Sequence, residues 1–211
     1  MAINWIVRPP RWLRWLYGKQ YHWSMQQAPQ NTLYLTFDDG PHPAITPLVL
    51  DLLAQYGHKA TFFCVGENAL RYPALIERIH KQGHGIGGHT MHHLNGWHTP
   101  TDTYVKDAIE AQAILQTPLF RPPYGRIKQR QWKQLHKQMP NTRVILWSIL
   151  TEDYLRDRTP ENCFDNVKHN ANTGSIIVFH DSVKAKENCI QALALTLQWM
   201  QAEGWRSDKL T

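Results

Sequence analysis

Two adjacent aspartates, Asp38 and Asp39, end an apolar run within the hexapeptide Thr-Phe-Asp-Asp-Gly-Pro at positions 36–41. Neighbouring carboxylates repel each other, and each raises the other's pKa unless a cation or a positioned arginine offsets the charge. The pair therefore predicts a compensating positive group close by, and a divalent metal ion is the first candidate.

Two histidines, His89 and His93, stand four residues apart, so on a turn or a helical segment their imidazoles point to one side and can share a metal. His92 competes with His93 for this role, and in a chain with 12 histidines the spacing alone is a weak signal. One carboxylate and two histidines leave coordination positions open, which is typical of a catalytic metal site that activates water.

Arg121 opens the sequence Arg-Pro-Pro-Tyr-Gly, in which two prolines stiffen the backbone. An arginine aimed at Asp38 would keep that carboxylate ionised, and the backbone N–H of Tyr124 could donate to a developing oxyanion. The alternative is a proline-rich turn that carries a surface arginine.

His180 follows the most apolar run of the chain, 176–179, and a histidine at such a strand end suits a general acid or base. A carboxylate could orient its ring and favour the protonated form. Asp153 and its neighbour Glu152 are both candidates for that carboxylate.

The elements that must position these groups alternate between β-rich apolar runs and segments of helical periodicity, which predicts βαβ units and a parallel sheet or barrel. About seven strands are predicted, at 32–37, 60–65, 85–89, 119–121, 143–148, 175–180 and 205–210. Six helices are predicted at 46–56, 73–82, 103–116, 128–138, 160–170 and 187–203. The candidate polar residues fall at or just past the carboxyl ends of strands, the face that carries the active site in barrel enzymes.

The length of 211 residues predicts one domain, 25–211, preceded by a basic aromatic segment, 1–24. A net charge of +6 favours anionic partners such as a membrane surface or an acidic glycan, but no nucleic-acid-binding signature is present. No stretch approaches the roughly 20 apolar residues of a membrane-spanning helix. Cys64, Cys163 and Cys189 are odd in number and widely spaced, which predicts buried reduced thiols.

Segment 1–24 interleaves aromatic residues with arginine and lysine. It does not read as a secretory signal, because Asn4 and then Arg8-Pro9-Pro10 interrupt the apolar run. We expect a cytoplasmic protein or one peripheral to the inner membrane face. A short helix over 11–17 could pack against the domain or lie in a membrane interface.

Five motifs in order resemble the polysaccharide deacetylase family, the NodB-homology enzymes of carbohydrate esterase family 4. They are Thr-Phe-Asp-Asp-Gly-Pro at 36–41, His-Thr-x-x-His at 89–93, Arg-Pro-Pro-Tyr at 121–124, Asp-Tyr at 153–154 and Ile-Ile-Val-Phe-His-Asp at 176–181. The resemblance covers 32 to about 206. It implies an α/β fold, an irregular and incomplete (β/α) barrel like a distorted TIM barrel, with one divalent metal: zinc first, with cobalt, nickel or manganese as alternatives.

The resemblance also implies roles for single residues. The implied metal ligands are Asp39, His89 and His93. The implied catalytic groups are Asp38 as base, Arg121 as its partner, His180 as acid and Asp153 as the residue that tunes His180. From residue type alone, Trp97, Tyr124, Trp147 and Tyr154 could offer flat faces to a sugar ring, although aromatic side chains also form cores. The resemblance adds Val178 as an apolar contact for the acetyl methyl. Two positions depart from the family pattern: Leu150 replaces a frequent aspartate and Tyr154 a usual tryptophan.

The implied activity is metal-dependent removal of N-acetyl groups from an N-acetylglucosamine-containing glycan or a precursor such as a lipid-linked sugar. One alternative is a related hydrolase of C–N bonds in a cyclic imide or ureide. A second alternative is a non-catalytic glycan-binding module, which we would expect to lack at least one of Asp38, Asp39, His89, His93 and His180.

Overall fold

The structure, a computed structural model, describes residues 7–10, 12, 17–18 and 20–211. Within them nine strands occur: β1 (Tyr21–His22), β2 (Thr32–Asp38), β3 (Ala60–Cys64), β4 (Gly85–Gly88), β5 (Leu119–Phe120), β6 (Arg143–Ile145), β7 (Ile149–Leu150), β8 (Ile176–His180) and β9 (Arg206–Ser207). Eight of them follow the order β1-β6-β5-β4-β3-β2-β8-β7, β9 pairs with the start of β2, and every strand pair is parallel.

The helices that connect and cover this sheet are α1 (Thr46–Gln55), α2 (Gly66–Arg71), α3 (Pro73–Lys81), α4 (Thr101–Leu115), α5 (Gln129–Gln138), α6 (Pro160–Lys168) and α7 (Lys186–Ala202). Six of these were predicted and begin and end within two residues of the expected positions. Helix α2 was not predicted, because six residues that begin with glycine are too short to show a helical period.

The predicted strand 143–148 is wrong in one respect, since the strand there, β6, ends at Ile145 and a separate strand, β7, begins at Ile149. β6 pairs with β5 and β1, whereas β7 pairs with β8 near the other end of the sheet. Only residues 146–148 separate them, a length of chain that spans about 14 Å at most. The two ends of the sheet must therefore approach each other, so the sheet curls into the incomplete barrel that the family resemblance implies.

The core lies between this curled sheet and its helices. All seven residues of β2 are buried, as expected for a parallel strand covered on both faces. Phe37 stacks between Phe62 and Phe179, at ring-centroid distances of 5.0 and 5.7 Å. The three cysteines are free and buried, which confirms the prediction of reduced thiols.

The described residues of the N-terminal segment pack against the domain. Val7 is buried and its carbonyl accepts a hydrogen bond from the N–H of Leu150 at 2.9 Å. The ring of Tyr17 lies edge-on to Tyr21 and Trp23, at 5.3 and 5.5 Å. The helix predicted over 11–17 falls mostly outside the described residues, and membrane contact stays a prediction. Among the described residues, no helix has the length and apolar character needed to cross a membrane.

Candidate active site

The strand register brings the predicted site residues to one edge of the sheet. Asp38, the last residue of β2, lies directly opposite His180, the last residue of β8. At the neighbouring end, Gly88 of β4 lies opposite Phe120 of β5, so His89 and Arg121 follow adjacent strand ends. The convergence expected from the strand-end positions is therefore present.

A cavity of about 540 Å³ opens above these strand ends. It is lined by Pro9, Tyr17, Trp23, Asp38, Asp39, His89, His93, Tyr124, Gly125, Arg126, Leu146, Trp147, Leu150, Tyr154, Val178, His180, Ser182 and Lys184. A wider surface groove of about 750 Å³ between α4 and α5 is lined by residues such as Asp102, Arg130 and Lys133. That groove contains none of the strand-end residues, so the cavity above β2 and β8 is the candidate site.

Arg121 pairs with Asp38, as the sequence predicted. Its Nη1 lies 2.6 Å from Oδ1 of Asp38, and the arginine side chain is fully buried. It donates further to Thr36 Oγ1 and to the carbonyls of Ile145 and Leu146, at 2.8, 3.2 and 3.1 Å. Burial lowers the pKa of Arg121, but the carboxylate of Asp38 opposes that effect. The alternative of a surface arginine on a turn is excluded.

Asp39, His89 and His93 form a cluster in which one ligand atom from each residue lies within 4.8 Å of the others. Nε2 of His93 lies 3.1 Å from Oδ1 of Asp39, and Nε2 of His89 lies 3.7 Å from the same oxygen. Within the described part of the chain, this is the single group of three or more histidine, cysteine or carboxylate side chains that could hold a metal.

The tautomer of His89 is set by a backbone carbonyl. Nδ1 of His89 lies 2.7 Å from the carbonyl oxygen of Arg121, which can only accept, so Nδ1 carries the proton. Burial lowers the pKa of His89 to about 4 despite the nearby carboxylates, so the ring is neutral near pH 7. Its Nε2 lone pair therefore faces Asp39, as a metal ligand requires.

Asp39 is held in its ionised form. Burial alone would raise its pKa, but the hydrogen bond with His93 and the electrostatic interactions with His180, His89 and His93 lower the pKa below the usual range. An anionic oxygen next to a neutral imidazole nitrogen is a donor pair suited to zinc and to similar divalent ions.

His92, the competitor of His93, points to a different partner. Its Nδ1 lies 2.6 Å from Oδ2 of Asp107, and its side chain is more than half exposed. The other oxygen of Asp107 accepts from the N–H groups of Met91 and His92, at 2.8 and 3.1 Å. Asp107 therefore fixes the loop that presents His93 to Asp39.

The loops of the site hold several side chains at left-handed backbone angles. Positive φ values occur at Asp39 (78°), Thr90 (61°), His93 (54°), Tyr124 (60°) and Glu152 (65°). Such angles cost free energy for residues other than glycine and persist where the surrounding contacts enforce them. Five of the seven such non-glycine residues in the described chain lie within or beside the predicted motifs, so local strain concentrates where the chemistry is expected.

Asp153, and not Glu152, pairs with His180. Oδ1 of Asp153 lies 2.7 Å from Nδ1 of the ring, and its Oδ2 accepts from the N–H of His180 at 2.8 Å. Glu152 instead binds Arg158 through two contacts of 2.8 and 2.7 Å. Burial opposes charging of His180, but Asp153 and then Asp39 and Asp38 outweigh it and raise the pKa to about 9.

The predicted substrate contacts line the cavity, with one exception. The exposed ring of Tyr124 lies edge-on to His93 at 4.8 Å, and Tyr154 lies edge-on to His180 at 4.9 Å. Trp147 and Val178 also line the cavity. The exception is Trp97, whose ring lies under the guanidinium of Arg126, outside the cavity lining.

Asp181 is a structural part of the site that sequence reasoning did not single out. Its buried carboxylate accepts from Thr46 Oγ1 at 2.5 Å, and its N–H donates to the carbonyl of Asp38 at 3.1 Å. Burial raises its pKa to about 7, and repulsion from Asp39 adds to this despite the Thr46 hydrogen bond. A Cβ on Gly40 would lie 2.2 Å from this carboxylate, so only glycine fits there. The His-Asp and Asp-Gly dipeptides were the available signals.

Comparison with known proteins gives a match to a family model over the part of the chain that carries Asp38, Asp39, His89, His93 and Arg121. A family model described as polysaccharide deacetylase matches residues 25–142. A peptidoglycan-N-acetylglucosamine deacetylase of Bacillus cereus is 33% identical over 85% of this chain and 87% of its own length. A chitooligosaccharide deacetylase of Azorhizobium caulinodans is 33% identical over 75% of this chain and 77% of its own.

The fold is also shared with a solved structure. The crystal structure of the Bc1960 peptidoglycan N-acetylglucosamine deacetylase, in complex with 4-naphthalen-1-yl-N-oxidanyl-benzamide, superposes with a TM-score of 0.83 at 33% sequence identity. The match covers 93% of both chains.

Proposed function

Because this chain belongs to the polysaccharide deacetylase family, we propose that it hydrolyses N-acetyl groups on an N-acetylglucosamine-containing glycan, using one divalent metal ion. The observation that carries this proposal is the arrangement of three units in one cavity: Asp39 with two histidines, Asp38 with Arg121, and His180 with Asp153. The two relatives described above are named for deacetylation of such glycans.

The donor atoms fit a divalent metal held by Asp39, His89 and His93. The carboxylate is anionic, the His89 imidazole is neutral and its second nitrogen is fixed by a hydrogen bond, all of which metal binding requires. A metal bound there would supply Lewis-acid polarisation of the acetyl carbonyl and a lowered pKa of attacking water. Zinc is our first choice because nitrogen and oxygen ligands with open positions are typical of catalytic zinc sites.

Asp38 is assigned as the general base. Its Oδ1 is bound by Arg121, which leaves Oδ2 to accept the proton of the attacking water. Arg121 holds the carboxylate in one orientation and offsets its negative charge beside Asp39. The N–H of Tyr124 would donate to the oxyanion that forms from the acetyl carbonyl.

His180 is assigned as the general acid. Asp153 binds Nδ1, so the second ring nitrogen, Nε2, is available to protonate the departing amine. With a pKa of about 9, the ring carries this proton at neutral pH. Val178 and Leu150, opposite each other in the sheet and both on the cavity wall, offer an apolar place for the acetyl methyl.

The proposal is tested by acetate release from N-acetylated chitooligosaccharides and from peptidoglycan, after loading with Zn²⁺, Co²⁺, Ni²⁺ or Mn²⁺. We expect release with at least one metal and none with the chelated protein. A cyclic imide assayed in parallel distinguishes the related C–N hydrolase. Ring opening of the imide without acetate release would overturn the deacetylase assignment, and inactivity on every substrate combined with glycan binding would support the non-catalytic module.

Asp153→Asn is expected to move the alkaline limb of the pH–rate profile to lower pH. His180 must be protonated to act as an acid, so activity falls as the pH rises through its pKa. The charge of Asp153 raises that pKa, and a neighbouring carboxylate contributes about 1 to 3 pH units. The limb should therefore shift downward by about one unit or more, as measured by kcat against pH on the metal-loaded enzyme.

Glu152→Gln is the matched control for that shift. It removes the adjacent carboxylate, which pairs with Arg158 and not with His180. We expect its alkaline limb to coincide with that of the wild type. An unshifted limb in Asp153→Asn would show that His180 is not the acid whose titration limits the rate.

A further inference from the structure

Three residues of the N-terminal segment line the same cavity as the catalytic groups: Pro9, Tyr17 and Trp23. We call these three the N-terminal wall. None of them belongs to the five motifs, and all three precede the region matched by the family model, residues 25–142. The match to the family model therefore does not account for the wall.

The N-terminal wall is anchored at both open ends of the curled sheet. At one end the N–H of Leu150, in β7, donates to the carbonyl of Val7 at 2.9 Å. At the other end β1 pairs with β6, and the N–H of Leu146 donates to the carbonyl of His22 at 2.8 Å. Val7 and His22, which lie on either side of the wall residues in sequence, are thus bound to β7 and to the chain that follows β6, at the two ends of the sheet.

The residues that hold the segment also face the cavity. Leu146, Trp147 and Leu150 line it from the chain between β6 and β7. Leu150 stands where the family pattern often has aspartate, so this side of the cavity is apolar. Tyr17 and Trp23 extend that side with two aromatic rings, packed edge-on at 5.5 Å.

Rings of this kind suit the apolar faces of a sugar. Aromatic side chains bind through a flat apolar surface, and tyrosine adds a hydroxyl for hydrogen bonding. Tyr17 is only partly buried and packs on Tyr21, whose ring in turn contacts Trp132 at 6.0 Å. The ring is therefore supported from behind while one side remains available to a ligand, which reduces the entropy lost on binding.

We propose that the N-terminal wall binds the sugar unit next to the one that is deacetylated, and so determines the preference for substrate length. This inference rests on the proposed glycan deacetylation. Tyr17 acts here as a specificity-determining residue and takes no part in proton transfer. Its contribution is consequently expected in KM for substrates of two or more sugar units and not in kcat.

The test compares Tyr17→Ala with Tyr17→Phe on N-acetylglucosamine and on its oligomers of two to six units. We expect Tyr17→Ala to raise KM for the hexamer about fivefold to tenfold, from the loss of one aromatic contact. KM for monomeric N-acetylglucosamine, which has no neighbouring unit, and kcat should change less than about twofold, and Tyr17→Phe, which keeps the ring, should resemble the wild type. Metal content and Tm are measured for each variant.

Binding separates this inference from the proposed function. Calorimetric titration of the metal-loaded proteins with the hexamer should show weaker affinity in Tyr17→Ala than in Tyr17→Phe, even if acetate release fails for every substrate. Weaker binding without acetate release would overturn the proposed deacetylation and support the proposal that the N-terminal wall binds a sugar unit. Equal affinities and equal KM values in both variants would overturn the proposal that the wall binds a sugar unit. A loss of kcat accompanied by lower metal content would also overturn it, as would no detectable binding of the hexamer by the wild type.

Discussion

Asp38→Asn is expected to lower turnover by about two to four orders of magnitude without loss of bound metal, whereas Asp39→Ala and His89→Ala are expected to lose both. Asp38 contacts Arg121 and is not part of the Asp39 cluster, so an amide at this position removes a base but no ligand. Removal of one ligand leaves only two of the three protein ligands that a catalytic metal site commonly uses. Metal stoichiometry after dialysis, measured beside acetate release, distinguishes the two outcomes.

His92→Ala is the matched control for this set. His92 lies beside His93 in sequence, but its exposed ring pairs with Asp107. Asp107 is buried, but in this variant it keeps its hydrogen bonds from the backbone N–H groups at positions 91 and 92, so metal content and turnover should remain near those of the wild type. Equal metal content in Asp38→Asn, Asp39→Ala and His89→Ala would refute the division of roles between the two aspartates.

The backbone explains how two adjacent carboxylates take different partners. Asp38 ends β2 in the extended conformation and its side chain points to Arg121. Asp39 has a φ of 78°, which ends the strand and turns its carboxylate toward His93 and His89. The repulsion expected from the sequence is thus relieved from two directions. Gly40 makes this turn possible, because its missing side chain leaves room for the Asp181 carboxylate.

The sequence predicted which side chains the structure brings together, because strand ends are local features. An apolar run followed by a polar group identifies Asp38, His89 and His180 without any knowledge of the sheet order. Strand ends do not decide between His92 and His93, or between Glu152 and Asp153. Adjacent residues in a loop point in different directions, and those directions depend on partners far away in sequence, such as Asp107 and Arg158.

Sequence reasoning failed where an element is defined only by its neighbours. β1 and β7 have two residues each, and no periodicity can appear in so short a run. Residues 143–148 form β6 and the connection that leads to β7. This division follows from the closure of the sheet, which is a property of the whole barrel. The N-terminal wall was missed for the same reason, since its position depends on contacts with Leu146 and Leu150.

Arg121→Met is expected to lower the free energy of unfolding by about 3 to 5 kcal/mol, the usual cost of leaving a buried charge without its partner. Asp38 would lose its salt bridge, and the carbonyls of Ile145 and Leu146 would lose a donor. Chemical denaturation of the metal-free proteins measures this loss without a contribution from metal binding. Arg71→Met is the control, because Arg71 pairs with Glu67 on an exposed helix surface, where such pairs contribute about 0.5 kcal/mol or less.

The double variant Arg121→Met, Asp38→Asn separates the charge from the hydrogen bonds. When both charges are removed, the penalty of an unpaired buried carboxylate disappears, so the double variant should be more stable than Arg121→Met alone. It should remain less stable than Asp38→Asn, because the Ile145 and Leu146 carbonyls still lack a donor. Turnover should not recover, since the base is absent. If the double variant is no more stable than Arg121→Met, then the role of Arg121 is to satisfy backbone carbonyls, and the charge of Asp38 in the metal-free protein is offset chiefly by neighbouring groups such as His180.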